Sequence, residues 1–213
     1  AQLFRVHEEP STEKLNALRE TASATGLNIA RGQVLQTSHL NRLLAQAAGT
    51  DDEELINLTT LRCMTQAYYS PTNFGHFGLA LRNYGHFTSP IRRYADLIVH
   101  RALVTAHGWG KDGLTQKDAD GLKETGEHIS QTERRSMMAE RDTTDRYLAA
   151  FLSEYVGEEL GGRISGVVKF GVFVKLDATG ADGLVPVRSL GREFFHFDAE
   201  SSTLMGSDSG FMI

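Results

Sequence analysis

At 213 residues, 40% apolar and 23% charged, the chain has the balance of a soluble globular protein and the length for one large domain or a medium domain plus a small one. A formal net charge of −5 excludes nucleic-acid binding by bulk positive charge, so any such contact must be local. No stretch approaches the roughly 18 apolar residues of a membrane span, and AQLFRVHEEP has neither the basic end nor the apolar run of a signal peptide; the expected location is the cytoplasm, with no membrane partner.

In chain order, RVHEEP reads as an extended segment ending at Pro10, after which Ser11 or Thr12 caps a helix with Leu15, Leu18 and Ala22 on one face, stopping near Gly26. A second helix is expected from a Ser38 cap through Leu40, Leu43 and Leu44 to Gly49. A third starts in the acids at 51–54, which suit the positive end of the helix dipole, and carries Leu55, Leu58, Leu61, Cys63 and Met64 to near Tyr69. Cys63, the only cysteine, excludes an internal disulfide and reads as a small buried hydrophobe. Aromatics and glycines at 74–88 predict two strands joined by a turn at 83–85. Ser89 followed by Pro90 predicts a helix start, with the helix running to about Ala106. GWGKDGL at 108–114 is a loop, and 114–157 is helical with a break near Gly126.

From Gly161 the pattern changes to glycine-rich, β-branched alternation, placing a domain boundary near 158–161. Strands are expected at about 163–168, 171–176 and 183–187, with a turn at Thr179 and Gly180. The class is α+β: a largely helical first domain, 1–158, with a short hairpin, then an incomplete β-barrel, 159–213. A small barrel of this kind needs about five strands. Only three are clear before the tail, so the tail is expected to be poorly ordered or to seek a pairing partner.

Between Arg82 and Arg101 lie four arginines and one acid, Asp96, a basic segment in an acidic chain. A helix opening at Ser89 would align Arg92, Asp96 and His100 on one face. Arg92 and Arg93 would then sit at the positive end of the helix dipole, a conflict that a bound phosphate resolves. An ordinary surface pair between Arg92 and Asp96 is the alternative. The eight histidines show no metal-binding spacing and read as structural hydrogen-bonding groups. No Ser/His/Asp constellation or phosphate-binding glycine loop is present.

The run GHFGLALRNYGHFTSPIRRYADLIVHRAL at 75–103, with TSPIRRYAD at 88–96 as its most specific part, resembles the signature of the RNase II and RNase R family of 3′-to-5′ exoribonucleases. RVHEEP at 5–10, ELINLTTLRCMTQAYYSPTNFGHFG at 54–78 and GEHISQTERRSMMAERDTTDRYLAAFL at 126–152 extend the likeness in order and spacing. It implies the C-terminal half of the family's RNB catalytic domain. By this resemblance Arg92 contacts the phosphate near the scissile bond and Glu140, in AERD, helps build the same site. Arginine suits that role because its planar fork donates two hydrogen bonds to a phosphate. His76, His86, Ser89 and Arg93 are implied as substrate contacts by their place in the signature. GRISGVVKFGVFVKLDATGADGLVPV at 162–187 resembles the front of a ribosomal-protein-S-one-type OB fold. There Phe170 and Phe173 would stack on bases, flanked by Lys169 and Lys175, although each phenylalanine reads equally well as barrel core and the alternation favours that for at least one. Pro186 follows GLV where this barrel family often has histidine.

The resemblance implies magnesium held by clustered aspartates. The acids here, at 51–52, 96, 118, 120, 142 and 145, do not match that motif, so no metal ligand is assigned. The expectation is a parent enzyme that is magnesium-dependent and processive, degrading single-stranded RNA to nucleoside monophosphates. This piece would grip phosphate and guide RNA, would lack the N-terminal half of the catalytic domain, and would be inactive alone. A non-catalytic RNA-binding or scaffolding module of the same ancestry is the alternative, and a helical interaction domain unrelated to RNA is a third.

Overall fold

Ser11 opens the first helix of the computed structural model, which describes residues 1–29, 35–198 and 203–213. Its side chain accepts from the Lys14 backbone N–H, and helix α1 (Thr12–Ala24) buries Leu15, Leu18 and Ala22 as their spacing predicts. Helix α2 (Thr37–Ala47) follows; its cap is Gln36, whose N–H donates to His39 Nδ1 at 3.2 Å, rather than Ser38. Helix α3 (Glu53–Cys63) opens on acids, and Glu53 also accepts from the Gly49 N–H at 2.8 Å. The buried face of α3 is Ile56, Thr60 and Cys63, at i, i+4 and i+7. Leu55 and Leu61 on the same helix are exposed. Leu18, Leu40, Leu43, Ile56 and Cys63 form one core among these three helices.

Helix α3 stops at Cys63, short of the expected end near Tyr69. Residues Tyr68–Ser70 instead form β2, paired antiparallel with β1 (Phe4–Val6) in the register Arg5 opposite Tyr69. Pairing satisfies the backbone groups of β1 and seats Tyr69 in a second core with Leu3, Ala95, Ile98, Leu114 and Leu122. The hairpin expected at 74–88 is a tight loop with a single antiparallel bridge, His76 to Leu81, and a 3₁₀ turn at Phe77–Leu79. Ala80 closes that turn in the left-handed region, leaving no extended run for two strands.

Helix α4 (Tyr94–His107) ends at Gly108, whose φ of +64° suits a glycine, and the expected loop follows. Helix α5 (Gln116–Asp120) is capped reciprocally by Thr115 and Asp118. Helix α6 (Leu122–Leu152) passes Gly126 without the expected break. The glycine there serves close packing: a Cβ would lie 2.7 Å from the Tyr69 carbonyl oxygen. One turn on, Ser130 Oγ accepts the Tyr69 N–H at 2.9 Å and donates to the Gly126 carbonyl at 2.7 Å.

The chain divides into two compact units, Ala1–Ser136 and Met137–Ile213, the division falling inside α6. The compositional change near 158–161 coincides with the start of the strands in the second unit. There β3 (Gly162–Val168), β4 (Gly171–Leu176) and β5 (Asp182–Pro186) form an antiparallel sheet in the order β3-β4-β5. The tail is not the strandless segment expected. Strands β6 (Phe195–Asp198) and β7 (Thr203–Gly206) pair antiparallel, and Leu204 exchanges two backbone hydrogen bonds with Ile213, each 2.9 Å. Val172 from the first sheet and Phe195 and Leu204 from the second are buried in one core. The two sheets are not hydrogen-bonded into a closed barrel among the described residues. No helix among these residues is long and apolar enough to cross a membrane.

Candidate nucleic-acid interface

Residues 89–93 form a turn rather than the first turn of a helix. The Ser89 carbonyl accepts the N–H groups of Arg92 and Arg93 at 3.3 and 3.0 Å, and α4 begins only at Tyr94. Arg93, at φ −124° and ψ 111°, is extended and interrupts the helical path. Arg92 therefore lies outside the helix, and the expected face of Arg92, Asp96 and His100 does not form. The ion pair of the segment joins Arg93 Nη2 to Asp96 Oδ2 at 2.9 Å. The same oxygen accepts the Ser89 backbone N–H at 2.7 Å. Asp96 is wholly buried in the first turn of α4, where the helix dipole favours an acid. Burial pushes its carboxyl up, but the Ser89 N–H and Arg93 outweigh this and hold it below the usual carboxylate range.

The consequence falls on Arg92. Its side chain is exposed and, among the described residues, has no ion-pair or hydrogen-bond partner, while its neighbour Arg93 is committed to Asp96. Ile91 beside it is fully exposed. The turn thus displays a guanidinium with free donors next to an apolar side chain, an arrangement suited to an anion carried by a partly apolar polymer.

Behind this turn runs a line of rings. Tyr69 Oη lies 2.9 Å from His86 Nδ1; His86 meets Tyr84 edge-on at 5.7 Å; Tyr84 meets His76 edge-on at 5.0 Å; and His76 stacks on His7 at 5.0 Å. His7 Nε2 faces the Thr65 carbonyl and its Nδ1 faces the Gly78 N–H, both at 2.9 Å. Burial, then neighbouring Arg93 and Arg5, hold the His86 pKa below the usual histidine value; burial and His7 do the same for His76. Arg5 lies over the Tyr69 ring at 4.6 Å and pairs with Glu133 at 2.6 Å, tying this line to α6. Sequence reasoning selected His76 and His86 but missed Tyr84, whose alternation with His86 was the available signal. It also gave Asp96 the wrong arginine, although Arg93 stands at the i, i+3 spacing. His100 donates from Nε2 to the Phe87 carbonyl at 2.7 Å, a structural role.

In the second unit, Glu140 is exposed on α6. Phe170 and Phe173 are exposed by 59% and 36%, their rings edge-on at 6.3 Å, so neither is core and the reading that alternation buries at least one does not hold. Val172 takes the inward place on β4. Lys169 is exposed and lines a separate cleft of about 730 Å³ with Arg188, Phe194 and His196. Among the described residues, no group of three or more His, Cys, Asp or Glu is placed to hold a metal ion.

Two family models match the chain: the RNB domain over residues 1–108 and the S1 RNA binding domain over residues 155–209. The chain is similar to ribonuclease R of Escherichia coli, 41% identical over 216 residues, covering 98% of this chain and 27% of that protein. Ribonuclease R of Aquifex aeolicus is 40% identical, covering 98% and 29%. Among solved structures, RNase R of Mycoplasma genitalium in complex with ribose-methylated single-stranded RNA aligns with a TM-score of 0.87 at 29% identity, over 100% of this chain and 34% of that one. The chain thus spans between a quarter and a third of the length of these relatives.

Proposed function

Because this chain belongs to the RNB family and carries an S1 RNA binding domain behind its RNB segment, we propose that it is part of a cytoplasmic, magnesium-dependent, processive 3′-to-5′ exoribonuclease that hydrolyses RNA to nucleoside monophosphates. The observation that carries the proposal is the exposed Arg92 guanidinium, left without a partner on a turn whose other arginine is tied down. Arg92 binds a backbone phosphate close to the scissile bond and stabilises the charge that develops on it. His76, His86 and Ser89 contact the strand near the phosphate, and Phe170 and Phe173, with Lys169, guide the RNA by stacking and charge. The relatives named ribonuclease R and the RNA-bound Mycoplasma structure support this reading.

The described residues do not fit a magnesium site. Asp96 is spent on Ser89 and Arg93, Asp118 on Thr115 and Arg101, and no other acids converge. The metal, which would activate water and steady the leaving oxygen, would be held on this reading by residues of the catalytic domain upstream of this chain. That mismatch favours a second reading, a non-catalytic RNA-binding or scaffolding module of the same ancestry. The two separate on a 5′-labelled single-stranded RNA incubated with magnesium and either the 213-residue chain or a chain extended upstream through the rest of the catalytic domain. The exoribonuclease reading expects a ladder shortening from the 3′ end with the extended chain only. An inert extended chain would overturn it, and a degrading short chain would overturn the assignment of the metal to upstream residues.

A further inference from the structure

The Asp96 carboxylate touches no surface, yet one of its oxygens closes both ends of the turn that displays Arg92. Oδ2 accepts the Ser89 N–H at 2.7 Å and Arg93 Nη2 at 2.9 Å, while Oδ1 and Arg93 Nε are buried with no hydrogen-bond partner among the described residues. A buried carboxylate that leaves one oxygen unpartnered is expensive for the fold alone. The bonds it does make fix the residues immediately before and after Pro90, Ile91 and Arg92. Among the described residues, the other closures within the turn are the bonds from Arg92 and Arg93 to the Ser89 carbonyl. Asp96 also removes Arg93 from competition: the second guanidinium is held inward, so a single arginine faces solvent at the tip.

We infer that Asp96 is a positioning residue: by gripping Ser89 and Arg93 with one buried oxygen, it holds the turn whose backbone presents Arg92 to an RNA phosphate. The inference rests on the phosphate role proposed for Arg92 and adds to it the device that holds its backbone in advance. Holding the turn before binding removes the cost of ordering that backbone on contact.

Charge arithmetic and positioning make opposite predictions, which gives the test its force. Removing an acid beside an RNA-binding arginine should tighten binding if only charge matters. If Asp96 positions Arg92, its removal weakens binding. The 213-residue chain is titrated with a labelled single-stranded oligouridylate across a salt series, with folding of each variant verified by circular dichroism. The expected affinity order is wild type, then Asp96→Asn, which keeps an acceptor oxygen, then Asp96→Ala, with Asp96→Ala about fivefold to tenfold weaker. Its slope of log affinity against log salt should be shallower by about 0.7, one lost phosphate contact on a single strand. In an Arg92→Ala background the Asp96 substitutions should do nothing further, because the group the turn presents is gone.

Asp96 variants that bind as tightly as wild type or tighter, while Arg92→Ala loses a contact, overturn the positioning role and leave the phosphate role standing. Losses that add in the double variant overturn it too. An Arg92→Ala variant with unchanged affinity and slope overturns the phosphate role itself. Should Asp96→Ala fail to fold, the direction of change in Asp96→Asn alone decides between charge and positioning.

Discussion

Leu204→Ala is expected to loosen the whole second unit, not merely its tail. Leu204 is completely buried and lies in one core with Val172 of the first sheet and Phe195 of its own. Truncating a fully buried leucine to alanine costs about 2–5 kcal/mol, the spread reflecting how far the surroundings collapse into the hole. Among the described residues no closed ladder of hydrogen bonds joins the two sheets, so this core is a principal tie between them, and collapse should be limited. A loss of that size raises the frequency of opening by roughly 30-fold to several thousand-fold, and amide exchange in β3 and β4 should accelerate by the same factor. The assay is hydrogen exchange read by mass spectrometry on peptides from 162–176, with peptides from α1 and α3 in the first unit as internal controls. A volume-conserving Leu204→Met variant should change exchange little. Unchanged exchange in β3 and β4 of Leu204→Ala, with acceleration confined to 195–206, would refute the shared core and make the tail an appended hairpin.

Gly126→Ala should lower the melting temperature despite the better helix propensity of alanine. The gain of about 1 kcal/mol is outweighed by about 1–3 kcal/mol of overpacking, since the new Cβ would sit 2.7 Å from the Tyr69 carbonyl oxygen; a higher melting temperature would show that α6 does not rest on β2. Phe170→Ala and Phe173→Ala should each weaken single-stranded RNA binding by about 1–3 kcal/mol without altering folding, and unchanged affinity in both would refute stacking at these rings. The first unit should lose stability as pH falls below about 6.5. His76 and His86 have folded pKa values below their unfolded ones, so the unfolded chain binds more protons in that window and acid favours it. Melting temperatures measured from pH 7.5 down to 5.5 should fall, and His86→Gln should flatten the decline; a rising profile would contradict the burial of these rings.

Local signals were legible where neighbours in sequence decide the outcome. The Ser11 cap, the Leu15, Leu18 and Ala22 stripe, the loop at 108–114 and strands β3 to β5 follow from capping chemistry and periodicity. The segment at 89–93 was misread because Ser-Pro is a sound helix start in isolation. A buried carboxylate seven residues on from Ser89 holds it as a turn instead, and burial is not written in local sequence. Tyr68–Ser70 was likewise drawn out of an apparent helix by a strand more than sixty residues earlier.

The sequence by itself determined the family, the caps, the alternation of the second unit and the basic segment around Arg92. Tertiary structure alone decided which arginine is spent and which is free. Arg92 and Arg93 are adjacent and chemically identical, and only a buried oxygen at Asp96, reached by one of them, makes them different.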